Sequence, residues 1–229
     1  MTGIICAMMK EAELLTASMT ETKTKVSGGI EYTSGKLCGK DAVIAVCGVG
    51  KVFAAMCTQA MILEYKPDFI INTGVGGTLT TSLHCGDILI ADKVVQHDMD
   101  TSPLGDPRGL ISGINKIYFE CDSAAVNGIC ESAVELGINF KTGTVASGDR
   151  FVADKAVKED IINTFGGNVC DMESGAIGQV CFVNKVPFAI VRAISDEADG
   201  EAQTDYMTFM AKAADNASRL VKNFLGGKQ

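Results

Sequence analysis

Short apolar runs alternate along this chain with longer segments in which apolar residues recur at helical spacing. The short runs, bounded by glycine or polar residues, predict buried strands, and the longer segments predict helices. The predicted strands are residues 3–6, 43–47, 69–73, 88–91, 144–147 and 188–194. The predicted helices are residues 10–19, 52–65, 122–136, 153–164, 174–184 and 205–225.

Near-continuous apolar strands that alternate with helices indicate a sheet covered on both faces. Residues 26–37, with Gly28-Gly29 at their centre, predict a β-hairpin added to that sheet. We therefore expect an α/β fold of three αβα layers around a central mixed, largely parallel twisted sheet. Because no Ser/Pro-rich linker and no composition break interrupts the 229 residues, we expect one domain, residues 1–229.

Composition excludes two broad classes of protein. With 47% apolar and 21% charged residues, the chain can bury a substantial core, which argues against disorder. The formal net charge of −8 and the lack of basic clusters argue against a nucleic-acid partner, because such binding depends on Lys and Arg neutralising phosphates.

The cysteines and the apolar runs indicate where in the cell the protein is expected. Nine cysteines lie singly along the chain without any Cys-x-x-Cys, which indicates free thiols in a reducing compartment. The apolar stretch at the N-terminus is too short, and carries too few basic residues, for a signal peptide. No apolar run reaches the roughly 18 residues of a spanning helix. We expect a cytoplasmic protein that does not bind a membrane.

Several common motifs are incomplete. Gly74-Val75-Gly76 lacks the third glycine of a dinucleotide-binding fingerprint. Gly50-Lys51 is followed by Val52, which cannot contact Mg²⁺ as the Ser or Thr of a P-loop does. The chain has only two histidines, which excludes a His-rich zinc site.

Carboxylates at predicted strand ends are the strongest indication of a site. Asp171 and Glu173 lie about twenty positions before Asp196, which ends a buried strand. Strand ends in α/β sheets face the crevice where ligands bind, and a buried charge is unfavourable unless it is used or paired. Glu11 lies at the start of the first predicted helix, where the macrodipole favours an ionised acid. Ordinary helix capping is the alternative for Glu11.

Two glycine-rich turns also indicate a ligand site. Residues 48–51 and 74–77 each follow an apolar strand, and we expect the two strands to be neighbours. Glycine at such positions lets the backbone approach a ligand closely. Tight strand–helix packing is the alternative. Phe151 is either a core residue or a base-stacking surface. Residues 100–115, rich in Gly and Pro, form either a functional loop or a plain surface excursion.

Taken together, these segments resemble the 5′-methylthioadenosine/S-adenosylhomocysteine nucleosidases, a branch of the nucleoside phosphorylase superfamily. The resemblance spans nearly the whole chain, and the matching segments follow the family's order. They are Gly3-Ile4-Ile5-Cys6-Ala7-Met8-Met9-Lys10-Glu11, Gly48-Val49-Gly50-Lys51-Val52, Ile71-Asn72-Thr73-Gly74, Gln96-His97-Asp98-Met99-Asp100, Ser147-Gly148-Asp149-Arg150-Phe151, Asp171-Met172-Glu173 and Arg192-Ala193-Ile194-Ser195-Asp196.

The resemblance implies hydrolysis of the bond between adenine and the sugar of 5′-methylthioadenosine, S-adenosylhomocysteine and 5′-deoxyadenosine, in methionine salvage. The transition state resembles an oxocarbenium ion, so two carboxyl groups with different tasks are expected. By similarity, Asp196 is the general acid at adenine N7, with a pKa raised by burial. Glu11, with Arg192 nearby, activates the attacking water, and Glu173 binds the ribose hydroxyls.

The resemblance also implies the binding residues. Phe151 stacks on adenine, Val152 reads its edge through the backbone, and Met172 packs against the ribose. The pocket for the 5′-alkylthio group is lined by Met8, Val49 and Tyr206. Further binding positions are Ala7, Val75, Gly76, Asp171 and Ser195. The family is typically a homodimer, and a partner segment carrying Leu104 or Pro107 is expected to complete each site. The resemblance implies neither a metal nor an organic cofactor, in agreement with the incomplete motifs.

Three departures from the family pattern leave substrate preference open. Val75 replaces a common Ser, Asp171 replaces the commoner Glu, and Thr101 stands where relatives often have Val. A purine nucleoside phosphorylase on the same scaffold is the nearest alternative, with residues 105–108 as the closest approach to a phosphate-binding element. A futalosine or AMP nucleosidase and a non-catalytic nucleoside-binding protein are further alternatives.

Overall fold

A computed structural model describes residues 1–226, and residues 227–229 of the expected domain lie outside the described residues. The strands are β1 (Thr2–Cys6), β2 (Met19–Ser27), β3 (Ile30–Leu37), β4 (Lys40–Val46), β5 (Phe69–Thr78), β6 (Ile88–Gln96), β7 (Tyr118–Glu120), β8 (Phe140–Ser147), β9 (Gly167–Asp171) and β10 (Phe188–Asp196). The helices are α1 (Met9–Thr16), α2 (Lys51–Tyr65), α3 (Ser123–Glu135), α4 (Lys155–Phe165), α5 (Ser174–Asn184) and α6 (Ala202–Gly226).

The strands form a mixed sheet in the order β10-β6-β8-β9-β5-β1-β4-β3-β2, with β7 paired to β6. Strand β10 also pairs with β5, so β5, β10, β6, β8 and β9 close into a ring from which the other strands extend. Parallel pairs are β1–β4, β1–β5, β5–β10, β6–β8 and β8–β9. The predicted mixed sheet is confirmed.

Helices cover both faces of this sheet. Helices α2 and α5 pack on one face, whereas α1, α3 and α6 pack on the other. Neighbouring strand residues alternate between the two faces, as in β1, where Ile4 contacts the second layer and Ile5 the first. The three-layer αβα architecture predicted from the sequence is therefore confirmed.

The predicted β-hairpin is present, and it begins earlier than expected. Gly28 and Gly29 have φ angles of 60° and 77°, which suit the tight turn between β2 and β3. Strand β2 starts at Met19, and α1 already ends at Thr16, so the prediction of a helix over 10–19 was too long. The alternating threonines of residues 20–24 favour a strand over a helix.

Two further predictions need correction. Residues 74–77 do not form a turn after a strand, because they lie inside β5. The strands β4 and β5 are also not neighbours, since β1 lies between them. In addition, the short strands β7 and β9 were not predicted, because three to five residues give too little periodic pattern.

The Gly/Pro-rich segment 100–115 is an irregular excursion with one short 3₁₀ helix, Ser102–Leu104. Its middle is anchored by Arg108, which donates two hydrogen bonds to Asp160 of α4 at 2.8 and 2.7 Å. Leu104 is 84% exposed.

Among residues 1–226, none of the helices is long and apolar enough to cross a bilayer.

Candidate active site

A cavity of about 460 Å³ opens at the carboxyl ends of β1, β5, β9 and β10. Glu11, Glu173 and Asp196 all line it, although they are far apart in the sequence. The other predicted binding residues on its wall are Ala7, Met8, Val49, Val75, Gly76, Phe151, Val152, Asp171, Met172 and Tyr206. The structure thus brings thirteen sequence-predicted site residues into one cavity.

Glu11 lies in the first turn of α1, and backbone N–H groups hold its carboxylate in place. Its carboxylate accepts hydrogen bonds from Ala7 N and Met8 N, both at 2.9 Å, and from Val75 N at 3.0 Å. A Cβ on Gly74 would lie 2.5 Å from Glu11 Oε1, so this glycine makes room for the acid. Burial raises the pKa of Glu11, and the Arg192 charge and the N–H donors only partly oppose that rise. The position of Glu11 at the start of a helix, taken alone, predicted a lowered pKa.

Asp196 ends β10 and is buried with its strand. Its Oδ2 accepts a hydrogen bond from Ser195 Oγ at 2.8 Å, and its Oδ1 accepts one from Ala198 N at 3.0 Å. Burial raises the pKa of Asp196 despite these two donors, as the sequence predicted. A carboxyl group with a raised pKa can stay protonated closer to neutral pH and can therefore donate a proton.

Glu173 lies at the N-cap of α5, on the cavity side of β9. Its Oε1 accepts a hydrogen bond from Gly50 N at 2.8 Å. Burial and the charge of Asp171 raise the pKa of Glu173 to about 7, while Arg192 and the Gly50 N–H oppose the rise. This acid therefore changes its charge near neutral pH.

Arg192 and Ser195 lie behind the cavity wall rather than on it. The Arg192 guanidinium is 1% exposed and donates to Asp171 Oδ2 from Nε at 2.9 Å and from Nη2 at 2.6 Å. It also donates to Asn72 and to the carbonyl oxygen of Val191. Since buried charges need close partners, Asp171 is first of all the counter-ion of Arg192. The positive charge beneath the cavity favours the ionised forms of Glu11 and Glu173.

The remaining wall is aromatic and apolar. Phe151 is 45% exposed and meets Tyr206 edge to face, with ring centroids 5.8 Å apart. The Tyr206 hydroxyl donates to Met8 Sδ at 3.2 Å. Because Phe151 lines the cavity with much of its ring exposed, the alternative that it is a core residue is wrong. A flat, exposed ring of this kind can stack on a heterocycle.

Five lining residues were not named individually as site residues from the sequence, although Gly77 lies in the predicted ligand segment 74–77; they are Gly77, Arg150, Cys170, Gln203 and Met207. Arg150 and Cys170 adjoin predicted residues. Gln203 lies three positions before Tyr206 and four before Met207 in α6, so helical spacing from Tyr206 could have shown Gln203 and, through it, Met207. Leu104 and Pro107 do not line this cavity in their own chain. In residues 1–226 there is no group of three or more His, Cys, Asp or Glu side chains placed to hold a metal ion.

Both the sequence and the fold of this chain match known proteins. The family model of the phosphorylase superfamily matches residues 2–226. A 5′-methylthioadenosine/S-adenosylhomocysteine nucleosidase of Shewanella loihica is 36% identical over 225 residues, covering 97% of each chain. The chain therefore belongs to the phosphorylase superfamily, in the family of the 5′-methylthioadenosine/S-adenosylhomocysteine nucleosidases.

Solved structures give the same result. The nucleosidase of Neisseria meningitidis in complex with methylthio-immucillin-A superimposes with a TM-score of 0.95 at 33% identity, covering 98% of each chain. The futalosine hydrolase of Helicobacter pylori superimposes with a TM-score of 0.94 at 32% identity, covering 98% of this chain and 96% of the other.

Proposed function

We propose that this protein hydrolyses the N-glycosidic bond of 5′-methylthioadenosine and S-adenosylhomocysteine and releases adenine. The observation that carries the proposal is the meeting of Glu11, Glu173 and Asp196 on one cavity. These three acids lie in different environments, so each can be protonated or ionised as its task requires. The named activities of the relatives and the inhibitor-bound neighbour support the same reaction.

In the proposed reaction the three carboxyl groups have different roles: Asp196 is the general acid, Glu11 the general base, and Glu173 stabilises positive charge. Protonated Asp196 gives its proton to adenine N7, the bond from N9 to C1′ breaks, and adenine leaves as a neutral molecule. Water attacks C1′ and gives a proton to ionised Glu11, while the carboxylate of Glu173 stabilises the positive sugar. Proton exchange with solvent then restores Asp196 and Glu11.

The apolar residues of the cavity suit the two ends of such a substrate. In this proposal Phe151 stacks on adenine, the Val152 backbone reads its edge, and Met172 packs on the ribose. Met8, Val49 and Tyr206 surround the thioether sulfur and the carbons next to it, which need no polar partner. Val75 offers the sugar no hydroxyl group, and its backbone N–H is already used by Glu11.

Phosphorolysis is not favoured. Arg108, the arginine of the segment 105–108 that most nearly resembles a phosphate-binding element, is held in a two-bond pair with Asp160 and does not line the cavity. The test is adenine release from 5′-methylthioadenosine in buffer with and without phosphate. We expect equal rates in both. A rate that requires phosphate would show a phosphorylase, and no adenine release in either buffer would refute the proposed function.

We also propose that the protein is a homodimer and that a partner segment carrying Leu104 or Pro107 reaches each site. The start of α2, beside the cavity, exposes Val52, Phe53 and Met56. Three exposed apolar side chains on one helical turn are typical of an interface. Leu104 is almost fully exposed in its own chain, as expected of a residue that contacts a partner.

Two further features of the chain are part of the proposal. All nine cysteines are free, which supports a reducing, cytoplasmic environment. The single mixed sheet, whose strands lie between Thr2 and Asp196, supports one nucleosidase domain over residues 1–229. Adenine nucleoside thioethers are the small molecules that we expect it to bind.

A further inference from the structure

The N-terminus of α2 donates two consecutive backbone N–H groups to two different carboxylates. Gly50 N donates to Glu173 Oε1 at 2.8 Å, and Lys51 N donates to Asp149 Oδ1 at 2.7 Å. Gly50 is the N-cap and has no side chain for capping, so Asp149 from the loop after β8 serves instead. Any shift of this helix end therefore changes both hydrogen bonds.

Asp98 closes these contacts into a ring. Its Oδ2 accepts a hydrogen bond from Asp149 N at 2.9 Å, and its Oδ1 accepts one from Lys51 Nζ at 2.6 Å. Lys51 Nζ also reaches Gln96 Oε1 at 3.2 Å. The ring joins three loops, which follow β4, β6 and β8. Because the side chains of Lys51 and Asp98 are only 18% and 31% exposed, solvent screens this pair less than it screens a surface pair.

Glycines allow these loops to approach so closely. Gly50 has a φ angle of 101°, and a Cβ there would lie 3.0 Å from Asp149 Oδ1. A Cβ on Gly148 would lie 2.4 Å from His97 Nε2. Close packing at Gly50 and Gly148 therefore constrains the backbone around Asp149, in addition to the hydrogen bonds.

We propose that Asp149, together with Lys51 and Asp98, is a positioning residue of this site. It fixes the Gly50 N–H against the Glu173 carboxylate and at the same time holds the loop that carries Phe151 and Val152. The sugar side and the base side of the cavity are thus aligned by one residue that does not line the cavity itself. The catalytic part of this inference rests on the proposed function, in which Glu173 acts on the sugar.

The consequence for Glu173 can be measured directly. Its carboxylate is surrounded by ionisable groups on five elements, which are Glu11, Cys47, Asp171, Arg192 and Tyr206. Burial and Asp171 raise the pKa of Glu173, and the Gly50 N–H is one of the two groups that lower it. If Asp149 no longer holds the Lys51 N–H, the start of α2 moves and the neighbouring Gly50 N–H leaves the Glu173 carboxylate, so the pKa of Glu173 rises further above about 7.

The test is a ¹³C NMR titration of labelled glutamate, with the Glu173 signal assigned by its loss in Glu173→Gln. We expect Asp149→Ala to raise the pH at which Glu173 titrates, and Asp149→Asn, which keeps a carbonyl acceptor, to restore most of the wild-type value. The matched control is Asp122→Ala, which removes an equivalent cap from α3, where Asp122 accepts from Ala125 N at 2.9 Å. We expect it to leave the titration unchanged.

Kinetics give the second readout. For 5′-methylthioadenosine we expect Asp149→Ala to lower kcat/KM about 10- to 100-fold, mainly through kcat, because small misplacements of reacting groups have effects of this size. If Asp149→Ala does not fold, Asp98→Ala opens the same ring and carries the same expectation. The inference is overturned if Glu173 in Asp149→Ala titrates at the same pH as in wild type. It is also overturned if Asp122→Ala shifts the titration of Glu173 by the same amount. Since the titration needs no turnover, a wild type that releases no adenine would refute the function and leave this result intact.

Discussion

Asp196 Oδ1 lies where a side chain on Gly77 would have to be, since a Cβ there would be only 2.6 Å away. The same Cβ would lie 3.1 Å from the Cβ of Ala198, whose N–H donates to Asp196. Gly77 in β5 thus creates the space in which the acid at the end of β10 is held. Gly74 and Gly77 of β5 therefore make room for the carboxylates of Glu11 and Asp196.

Gly77→Ala tests this relationship. The added methyl group must displace Asp196 or Ala198, and we expect adenine release to fall about 100-fold, because the acid leaves its productive position. The measurement is kcat for 5′-methylthioadenosine, with the melting temperature recorded for each variant. The control is Gly200→Ala, where an added Cβ meets nothing within 4 Å. Wild-type kcat in Gly77→Ala would show that the close fit has no catalytic role.

Glu173 gives a prediction for pH. Its pKa of about 7 in the folded protein lies above the ordinary 4.5, so the folded state holds this proton more tightly than the unfolded state does. Stability from this group is therefore complete below pH about 4.5 and is lost as pH rises to about 7. We expect Glu173→Gln to raise the melting temperature at pH 8 and to have little effect at pH 4.5.

The same variant should lose activity, because Gln cannot balance the positive sugar. We expect kcat to fall about 100- to 1,000-fold. In wild type, kcat/KM should decrease as pH falls through about 7, where Glu173 takes up its proton. The control is the exposed Glu135→Gln, which should change neither property. A melting temperature that responds equally to both substitutions would contradict the assignment of a buried, raised pKa to Glu173.

The buried pair of Arg192 and Asp171 should be far more sensitive than a surface pair. Asp171→Asn leaves the guanidinium without its counter-ion, and we expect a loss of about 3–5 kcal/mol in the free energy of unfolding. The matched variant is Asp160→Asn, which breaks the half-exposed pair with Arg108 and should lose at most about 1 kcal/mol. Chemical denaturation measures both. Equal losses would mean that Arg192 does not depend on Asp171.

The proposed dimer predicts different effects for two exposed residues. Leu104→Ala should raise KM about tenfold at nearly constant kcat, since it removes only apolar contact with the 5′ group. Phe53→Glu, at the start of α2, should give a monomer in analytical ultracentrifugation. Val134→Glu, an equally apolar exposed position on α3, is the control and should not change the mass. A wild type that sediments as a monomer with full activity would contradict the proposal.

Glu11 and Asp196 were predictable as site residues because both lie where an apolar strand ends or has just ended. Asp196 follows a run of apolar residues that the fold buries entirely, and Glu11 follows β1 after only a short turn. Parallel strands bring such ends to one edge of the sheet, so local pattern sufficed to bring Glu11 and Asp196 together.

Contacts between distant parts of the chain were not predictable in this way. The hydrogen bond from Lys51 N to Asp149 joins residues 98 positions apart, and no local pattern specifies it. The strand β9, which places Asp171 beside Arg192, is too short to show a period. The direction of the Glu11 pKa was also missed, because burial by the rest of the fold outweighs the helix end.

The most direct test of the account compares two leaving groups in Asp196→Asn. The variant should lose nearly all adenine release from 5′-methylthioadenosine, because Asn cannot protonate N7. It should keep near wild-type cleavage of the 4-nitrophenyl glycoside of 5-methylthioribose, whose leaving group needs no proton. Loss of both activities, or undiminished adenine release, would contradict the role of Asp196 as the general acid.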